Sequence, residues 1–409
     1  MLNIIWTGFF FIAFVTASLH SLLTGDVAVW SQLSNALFDS AKSGFEIALG
    51  LTGILCLWMG LFKIAEQSGL MNVLAKAIEP LLCRIMPEVP RGHGAMGAMT
   101  MNIGANMLGL DNAATPMGIR AMQALQELNP KPDTATNAQI VFLVLNSASV
   151  TLLPVTIFLY RAQQGSANPA EVFLPLLLAT SAGTLAGLFS VMLWQRIRIW
   201  DSVIMAYLFG YTALLTSIVW WVGNTPADIM SLYSTAIGNF ILFAMVALFL
   251  FVGWVKKINV YETFIEGAKE GFKTATSLIP FLVAMLVAVG VFRACGALET
   301  VLSWIRHGVT YFGWDTQFVD ALPTAFMKPL SGSGSRAMML DAMQTHGVDS
   351  LVGRMAAIMQ GSTETTFYVL AVYFGAVGIK NMRHTLACGL IADFAGLAAA
   401  VGVSYWFFT

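Results

Sequence analysis

The sequence predicts an all-α polytopic membrane protein: an inverted-topology repeat with two re-entrant hairpins and two broken transmembrane helices. Three observations predict it. The composition is too apolar for water, one unit is written twice 227 residues apart, and polar breaks recur at matching places in apolar surroundings. Of 409 residues, 57% are hydrophobic and 11% charged, against about 25% charged in a soluble domain. The mean hydropathy is +0.74. So much apolar surface requires a bilayer as its partner. A net charge of −1 leaves no basic surface for nucleic acid. Cys56, Cys83, Cys295 and Cys388 are scattered without metal-ligand spacing and read as small buried hydrophobes. Residues 2–22 lack a basic leader and a small-residue cleavage site, so they read as a retained span.

Apolar runs long enough to span, about 20 residues each, fall at 4–23, 45–66, 138–160, 171–194, 203–222, 233–255, 277–293, 350–378 and 386–408. The 277–293 run is short and its ends are expected to extend. The loops holding Arg196 with Arg198, Lys256 with Lys257, and Lys380 with Arg383 are basic, whereas 24–44, 161–170 and 223–232 carry only Lys42 and Arg161. Nine crossings with a cytoplasmic N-terminus place all three basic loops inside. Trp194, Trp200, Trp220, Trp221, Trp254 and Trp406 near span ends suit an interfacial belt.

The repeated unit opens Ala41-Lys42-Ser43-Gly44-Phe45 and again Ala268-Lys269-Glu270-Gly271-Phe272, and reaches Ser68-Gly69-Leu70 and Cys295-Gly296-Ala297. Five predicted crossings separate the two starts. An odd number inverts the second copy, the arrangement behind alternating access. Segments 67–136 and 294–349, rich in Gly, Ser, Asn and Met, then face opposite sides and are expected to dip into the membrane as re-entrant hairpins.

Four polar stretches carry the chemistry. The first hairpin tip contains Asn102, Asn106, Asp111, Asn112 and Thr115, with Gly104 and Gly109 for turning. Asp111 or Asn112 is placed to cap the following helix, with Pro116 in its first turn. These side chains line a solute site or, on the plainer reading, Asn112 and Thr115 only cap a helix. The second tip, Lys328-Pro329-Leu330-Ser331-Gly332-Ser333-Gly334-Ser335-Arg336, reads as a flexible strand-like tip. Its hydroxyls on Ser331, Ser333 and Ser335 and flanking cations Lys328 and Arg336 favour a carboxylate or phosphate group; the alternative is a solvated loop with two anchoring cations. It is not a P-loop. The third and fourth stretches interrupt apolar helices. One holds Asn146, Ser147, Ser149, Thr151 and Pro154; the other holds Gln360, Gly361, Ser362, Thr363, Glu364 and Thr365. Aligning Asn146 with Gln360 sets Ser149 on Thr363 and Thr151 on Thr365. Pro154 and Gly361 are expected to weaken their helices and free carbonyls for substrate or ion.

Glu364 is the most telling residue, since an ionisable group inside a span is costly. With Thr151 and Thr365 it forms the expected coupling-ion set, the ion being H⁺ or Na⁺. The competing reading pairs Glu364 with Arg336 or Lys328 as a tie between hairpin and helix. Asp393 is also intramembrane but has no polar cluster near it in sequence, so packing and transport roles weigh equally. The five histidines lie near span ends or in loops and offer no proton relay.

These residues carry a resemblance. Asn102-Ile103-Gly104-Ala105-Asn106, Leu110-Asp111-Asn112-Ala113-Ala114-Thr115-Pro116 and Asn146-Ser147-Ala148-Ser149 resemble spore maturation protein A. The 328–336 and 360–368 stretches resemble spore maturation protein B, so 1–200 and 201–409 read as an A-like and a B-like half. Both halves are similar to the nucleoside-recognition or gate domain of concentrative nucleoside transporters and of the ferrous-iron permease B membrane domain. The resemblance implies a bacterial inner-membrane protein with a transport or gating role, and relatives of this kind are homo-oligomers.

The function expected is secondary transport of a small polar or anionic solute, such as a nucleoside, amino acid or aromatic carboxylate, with no cofactor beyond the coupling ion and no bound metal. A second class is a non-transporting gate or structural subunit whose polar breaks serve helix contacts. An intramembrane enzyme is disfavoured, because HExxH, GxSxG and paired catalytic carboxylates are absent from the sequence.

Overall fold

The computed structural model describes the chain except residues 1, 91, 108–110 and 198–199, and except the side chains of 2, 71, 72, 74, 75, 111–113, 227, 228, 230 and 231. Helix α1 (Leu2–Thr24) precedes a first repeat. That repeat runs α2 (Ala28–Gln67), α3 (Leu70–Ile85), the pair α4 (Gly94–Met107) and α5 (Asp111–Glu127), the interrupted pair α6 (Asn137–Ser147) and α7 (Val155–Gln163), and α8 (Phe173–Gln195). Helices α9 (Ser202–Gly223) and α10 (Ala227–Val255) lead into the second. It runs α11 (Val260–Ala294), α12 (Ala297–Tyr311), the pair α13 (Leu322–Met327) and α14 (Gly332–His346), the interrupted pair α15 (Leu351–Ser362) and α16 (Thr366–Val377), and α17 (Thr385–Phe408). No strand occurs among the described residues.

The duplication is visible in local geometry. Gly69 and Gly296, 227 positions apart, both hold left-handed backbone, φ 76° and 78°, at the start of α3 and α12. Only glycine takes that conformation freely. Each lets a long helix turn sharply into a shorter one.

The seam between α2 and α11 fixes how the repeats sit. A Cβ built on Gly44 would lie 3.0 Å from the Val283 Cα, and one on Gly271 would lie 2.8 Å from the Cys56 Cα. Positions 44 and 271 are equivalent, as are 56 and 283, so the contact is reciprocal, as a two-fold relation requires. A Cβ on Gly267 would meet the Gly60 Cα at 2.9 Å. Numbers rise along one helix as they fall along the other, so α2 and α11 run antiparallel. Equivalent helices in opposite directions mean that the two repeats are inverted. Backbones pack this closely only over small residues, a common device between membrane helices.

Among the described residues, seven helices are long and apolar enough to cross a membrane: α1, α2, α8, α9, α10, α11 and α17. The other two expected spans are the interrupted pairs. Within their most apolar windows, 67% of α8 is buried but only 6% of α9 and 17% of α10. Phe209, Trp220, Phe240 and Phe243 stand exposed there and suit lipid contact. This is a multi-pass membrane protein.

Several expectations need correction. Segment 24–44 is not a loop but mostly the first turns of α2, which is 40 residues long. The short 277–293 run does extend, as expected, into a 35-residue helix that grows mainly from its N-terminal side. The Ser/Gly tip is not strand-like. Ser331 caps α14 by accepting a hydrogen bond from the Gly334 N–H at 3.0 Å, so the glycines and serines form a first helical turn. Gly361 lies inside α15, and the chain breaks after Ser362. Pro116 lies one turn deeper into α5 than expected.

A buried charge cluster ties the first repeat to the second. Arg161 at the end of α7 is fully buried and donates to Glu171 Oε1 at 2.5 Å and Asp349 Oδ1 at 2.8 Å. Arg354 on α15 donates to both Glu171 oxygens at 2.7 and 3.1 Å. Asp349 lies in the loop before α15. Its partial burial opposes ionisation, but hydrogen bonds from the Ser166 hydroxyl and the Ala167 N–H and the charges of Arg161 and Arg354 outweigh this and hold its carboxyl below the usual range. A depressed folded-state value adds stability that is present above the unfolded value, about 4, and is lost as pH falls through the folded one. Thermal unfolding in detergent is therefore expected to show a steep acid limb below about pH 4, and Asp349→Asn is expected to flatten it while lowering stability near neutrality.

Candidate functional site

The two hairpins and the two interrupted helices meet at one place. The Glu364 N–H, in the second break, donates to the Ser147 carbonyl at the first, 2.9 Å. The Leu152 N–H in the first break donates to the Met107 carbonyl at the end of α4, 2.8 Å, and the Phe367 N–H at the start of α16 donates to the Pro329 carbonyl in the second hairpin turn, 3.0 Å. Each break is thus bonded to the hairpin of its own repeat, and the breaks are bonded to each other. Side chains repeat the pattern. Asn102 donates to the Ala114 carbonyl across the first hairpin at 2.7 Å, and Ser335 donates to the Thr324 carbonyl across the second at 2.8 Å.

A cavity of about 80 Å³ opens at this junction. It is lined by Asn106, Thr151, Leu153, Pro154, Thr156, Ile157, Lys328, Gly332, Arg336, Gln360, Gly361, Thr363, Glu364 and Thr365. All four polar stretches contribute. Lys328 and Gln360 are buried, and the Arg336 guanidinium lies 5.4 Å from the centre of the Tyr160 ring. Arg336 Nε, Gln360 Oε1 and Thr363 Oγ1 are buried without a hydrogen bond. Orphaned donors and acceptors at a buried cavity are costly, and a polar solute would satisfy both kinds.

Of the residues singled out in the sequence, Asn106, Thr151, Lys328, Arg336, Gln360, Thr363, Glu364 and Thr365 reach this cavity. Asn146 stands behind it, accepting from Asn106 at 3.0 Å while donating to its own helix. The others serve the scaffold. Asn102 is fully buried in the hairpin, also near the Tyr373 hydroxyl. Ser147 and Ser362 donate to carbonyls of their own helices, and Ser149 is buried away from the cavity. Thr115 bonds Tyr373. Ser331 is a cap. Ser333 lines a separate apolar groove with Trp6 and Phe281. The side chains of Asp111 and Asn112 lie outside the described residues. Leu153, Pro154, Thr156, Ile157, Gly332 and Gly361 were not singled out as site residues, although all six lie in or just beyond polar stretches that were.

Asp393 departs most from expectation. Sequence proximity gives it no polar neighbours, yet folding sets it against Thr363, Thr366 and Lys328. It is 1% exposed, and neither carboxylate oxygen completes a hydrogen bond of normal geometry.

Comparison with known proteins agrees with this architecture. The family model described as "Gate: Nucleoside recognition" matches residues 48–163 and 275–380, one block in each repeat and together more than half of the chain. Spore maturation protein B of Bacillus subtilis (strain 168) is 45% identical over 157 residues, 38% of this chain and 86% of that protein. Spore maturation protein A of the same organism is 37% identical over 180 residues, 44% of this chain and 88% of that protein. With two inverted repeats, a gate block in each, and similarity to both separate proteins, this chain belongs to the nucleoside-recognition Gate family and joins A-like and B-like sequence in one polypeptide.

Proposed function

We propose that this protein is a secondary transporter of a small polar or anionic solute, working by alternating access across a bacterial inner membrane with its N-terminus in the cytoplasm. The single observation that supports this most is the junction cavity, where two broken helices and two hairpin turns from inverted repeats converge around Lys328, Arg336 and Glu364. Broken helices at an inverted-repeat interface are where transporters bind solutes and ions. The hairpins enter as re-entrant elements from opposite sides. Lys328 and Arg336 attract a carboxylate or phosphate, Gln360 and Asn106 offer amide contacts, and Glu364 meets the coupling proton or cation, or an amine on the solute. No catalytic role is assigned to any residue, and no cofactor beyond the coupling ion is required. Helices α1, α9 and α10 are the assigned scaffold and interface helices of a homo-oligomer, with the rest of their exposed apolar surface facing lipid.

Uptake by proteoliposomes containing the purified protein tests this reading. A solute found by thermal-shift screening of nucleosides, amino acids and aromatic carboxylates is expected to accumulate. Glu364→Gln is expected to reduce gradient-driven uptake to background with the melting temperature within a few degrees of the parent. Full uptake by that variant would remove Glu364 from the mechanism. One observation favours a second reading, a non-transporting gate subunit. At about 80 Å³ the cavity is far smaller than the roughly 300–1,000 Å³ of ordinary ligand pockets. Under transport, this is a closed state that solute must open. The absence of any stabilising solute, with a well-folded sample, would favour the subunit.

A further inference from the structure

Helix α17 approaches the second break through two glycines. A Cβ on Gly389 would lie 2.8 Å from Thr366 Cγ2, and one on Gly396 would lie 2.7 Å from Thr363 Cγ2 and 3.3 Å from the Ser362 carbonyl oxygen. Residues 389, 393 and 396 share one helix face, so both glycines let Asp393 stand at the break itself. Four oxygens collect there. Asp393 Oδ1 and Oδ2, Thr363 Oγ1 and Thr366 Oγ1 are all buried; the two threonine hydroxyls lie close enough to act on the carboxylate, but none of the four oxygens completes a hydrogen bond of normal geometry. The residues are 1%, 4% and 0% exposed. Thr363 directly follows the C-terminal end of α15, whose unpaired carbonyls carry the negative end of the helix dipole. Such a carboxylate is costly unless something positive joins it.

We propose that Asp393, Thr363 and Thr366 bind a sodium-sized monovalent cation, the coupling cation of the transport reading on which this inference rests, which leaves Glu364 to meet a coupling proton or an amine on the solute. The donors are hard oxygens, the type that alkali and alkaline-earth ions prefer. One carboxylate suits a single charge, and no group of three or more acidic, His or Cys side chains occurs among the described residues to hold a divalent ion. The site adjoins the solute cavity. Thr363 lines both, and Lys328, which lines the cavity, is a cation whose charge acts on Asp393. A cation at Asp393 raises the positive potential of the wall that Lys328 forms, which favours an anionic solute. By linkage the solute raises the affinity for the cation equally.

The test uses purified full-length protein in detergent, without solute, titrated with sodium chloride against choline chloride at fixed pH and ionic strength. The expected result is a saturable rise in melting temperature with sodium and none with choline. Asp393→Asn is expected to abolish the rise, Thr366→Val to weaken apparent sodium affinity about tenfold or more, and the surface control Glu46→Gln to leave it unchanged. A wild-type response that is absent, is matched by choline, or follows pH alone would overturn the site, as would a full sodium response in Asp393→Asn. Should Asp393→Asn not fold, undiminished affinity in Thr366→Val overturns it instead. The readout needs no solute, so failed uptake leaves it standing, and a flat sodium response with intact uptake removes only the cation site.

Discussion

Replacing Glu171 by alanine is expected to lower stability by about 3–5 kcal/mol, the cost of removing one partner from a buried ion cluster. Glu171 is 2% exposed and receives hydrogen bonds from both Arg161 and Arg354, and its main-chain carbonyl accepts from Ser234 on α10. Without the carboxylate, the fully buried Arg161 keeps only Asp349 as an acidic partner. Glu171→Gln retains the shape and loses the charge, so it is expected to fall between parent and alanine. Thermal unfolding in detergent, followed by loss of the monodisperse peak, measures both. Equal stability of all three proteins would mean that the cluster is relieved by water and carries little of the fold. A double change, Arg161→Met with Glu171→Leu, is expected to recover only part of the loss: it removes the fully buried pair, but Arg354 loses Glu171 and Asp349 loses Arg161.

The second large effect concerns the seam. Gly271→Leu is expected to abolish recovery of folded protein, and Gly271→Ala to cost about 1–3 kcal/mol as overpacking does. A Cβ there would stand 2.6 Å from the Leu55 carbonyl oxygen and 2.8 Å from the Cys56 Cα. Both are backbone atoms of a helix that cannot step aside locally. Gly44→Ala is expected to be milder, since its nearest atom lies at 3.0 Å. Gly53, on the same helix α2, has nothing within 4 Å, so Gly53→Ala is expected to be neutral or to gain up to about 1 kcal/mol from helix propensity. The contrast of Gly271→Ala and Gly44→Ala with Gly53→Ala separates seam packing from a general intolerance of glycine replacement. Fluorescence-detected size exclusion after graded heating reads all four.

Much of this was legible in the residues. The 227-residue offset carried the repeat, and the odd number of apolar runs between its starts carried the inversion, because both are properties of pattern. Asn106, Lys328, Arg336, Gln360 and Glu364, which line the junction cavity, stood out in the sequence because polar groups are expensive inside apolar stretches. Three things were not legible. Ser331 to Ser335 read as a flexible tip because Gly and Ser are weak helix formers; a capping hydroxyl and burial in the second repeat override that propensity. The direction of the Ser147 and Ser362 hydroxyls was not legible, because composition does not say which way a hydroxyl points, and both turn back onto carbonyls of their own helices. Asp393 looked isolated because its neighbours Thr363, Thr366 and Lys328 come from a different span and from a hairpin.

The bond from the Glu364 amide to the Ser147 carbonyl breaks the two-fold relation between the repeats. Under the alignment of Asn146 with Gln360, its mirror image would run from the Val150 amide to the Gly361 carbonyl, and that pair is not among the described hydrogen bonds. One repeat donates and the other accepts, so the conformation has a handedness that the duplicated sequence does not impose. Under the proposed alternating access, the donor and acceptor are expected to trade roles between the two states. Amide exchange at 150 and 364 should then move in opposite senses, a pair of reporters for which way the protein faces.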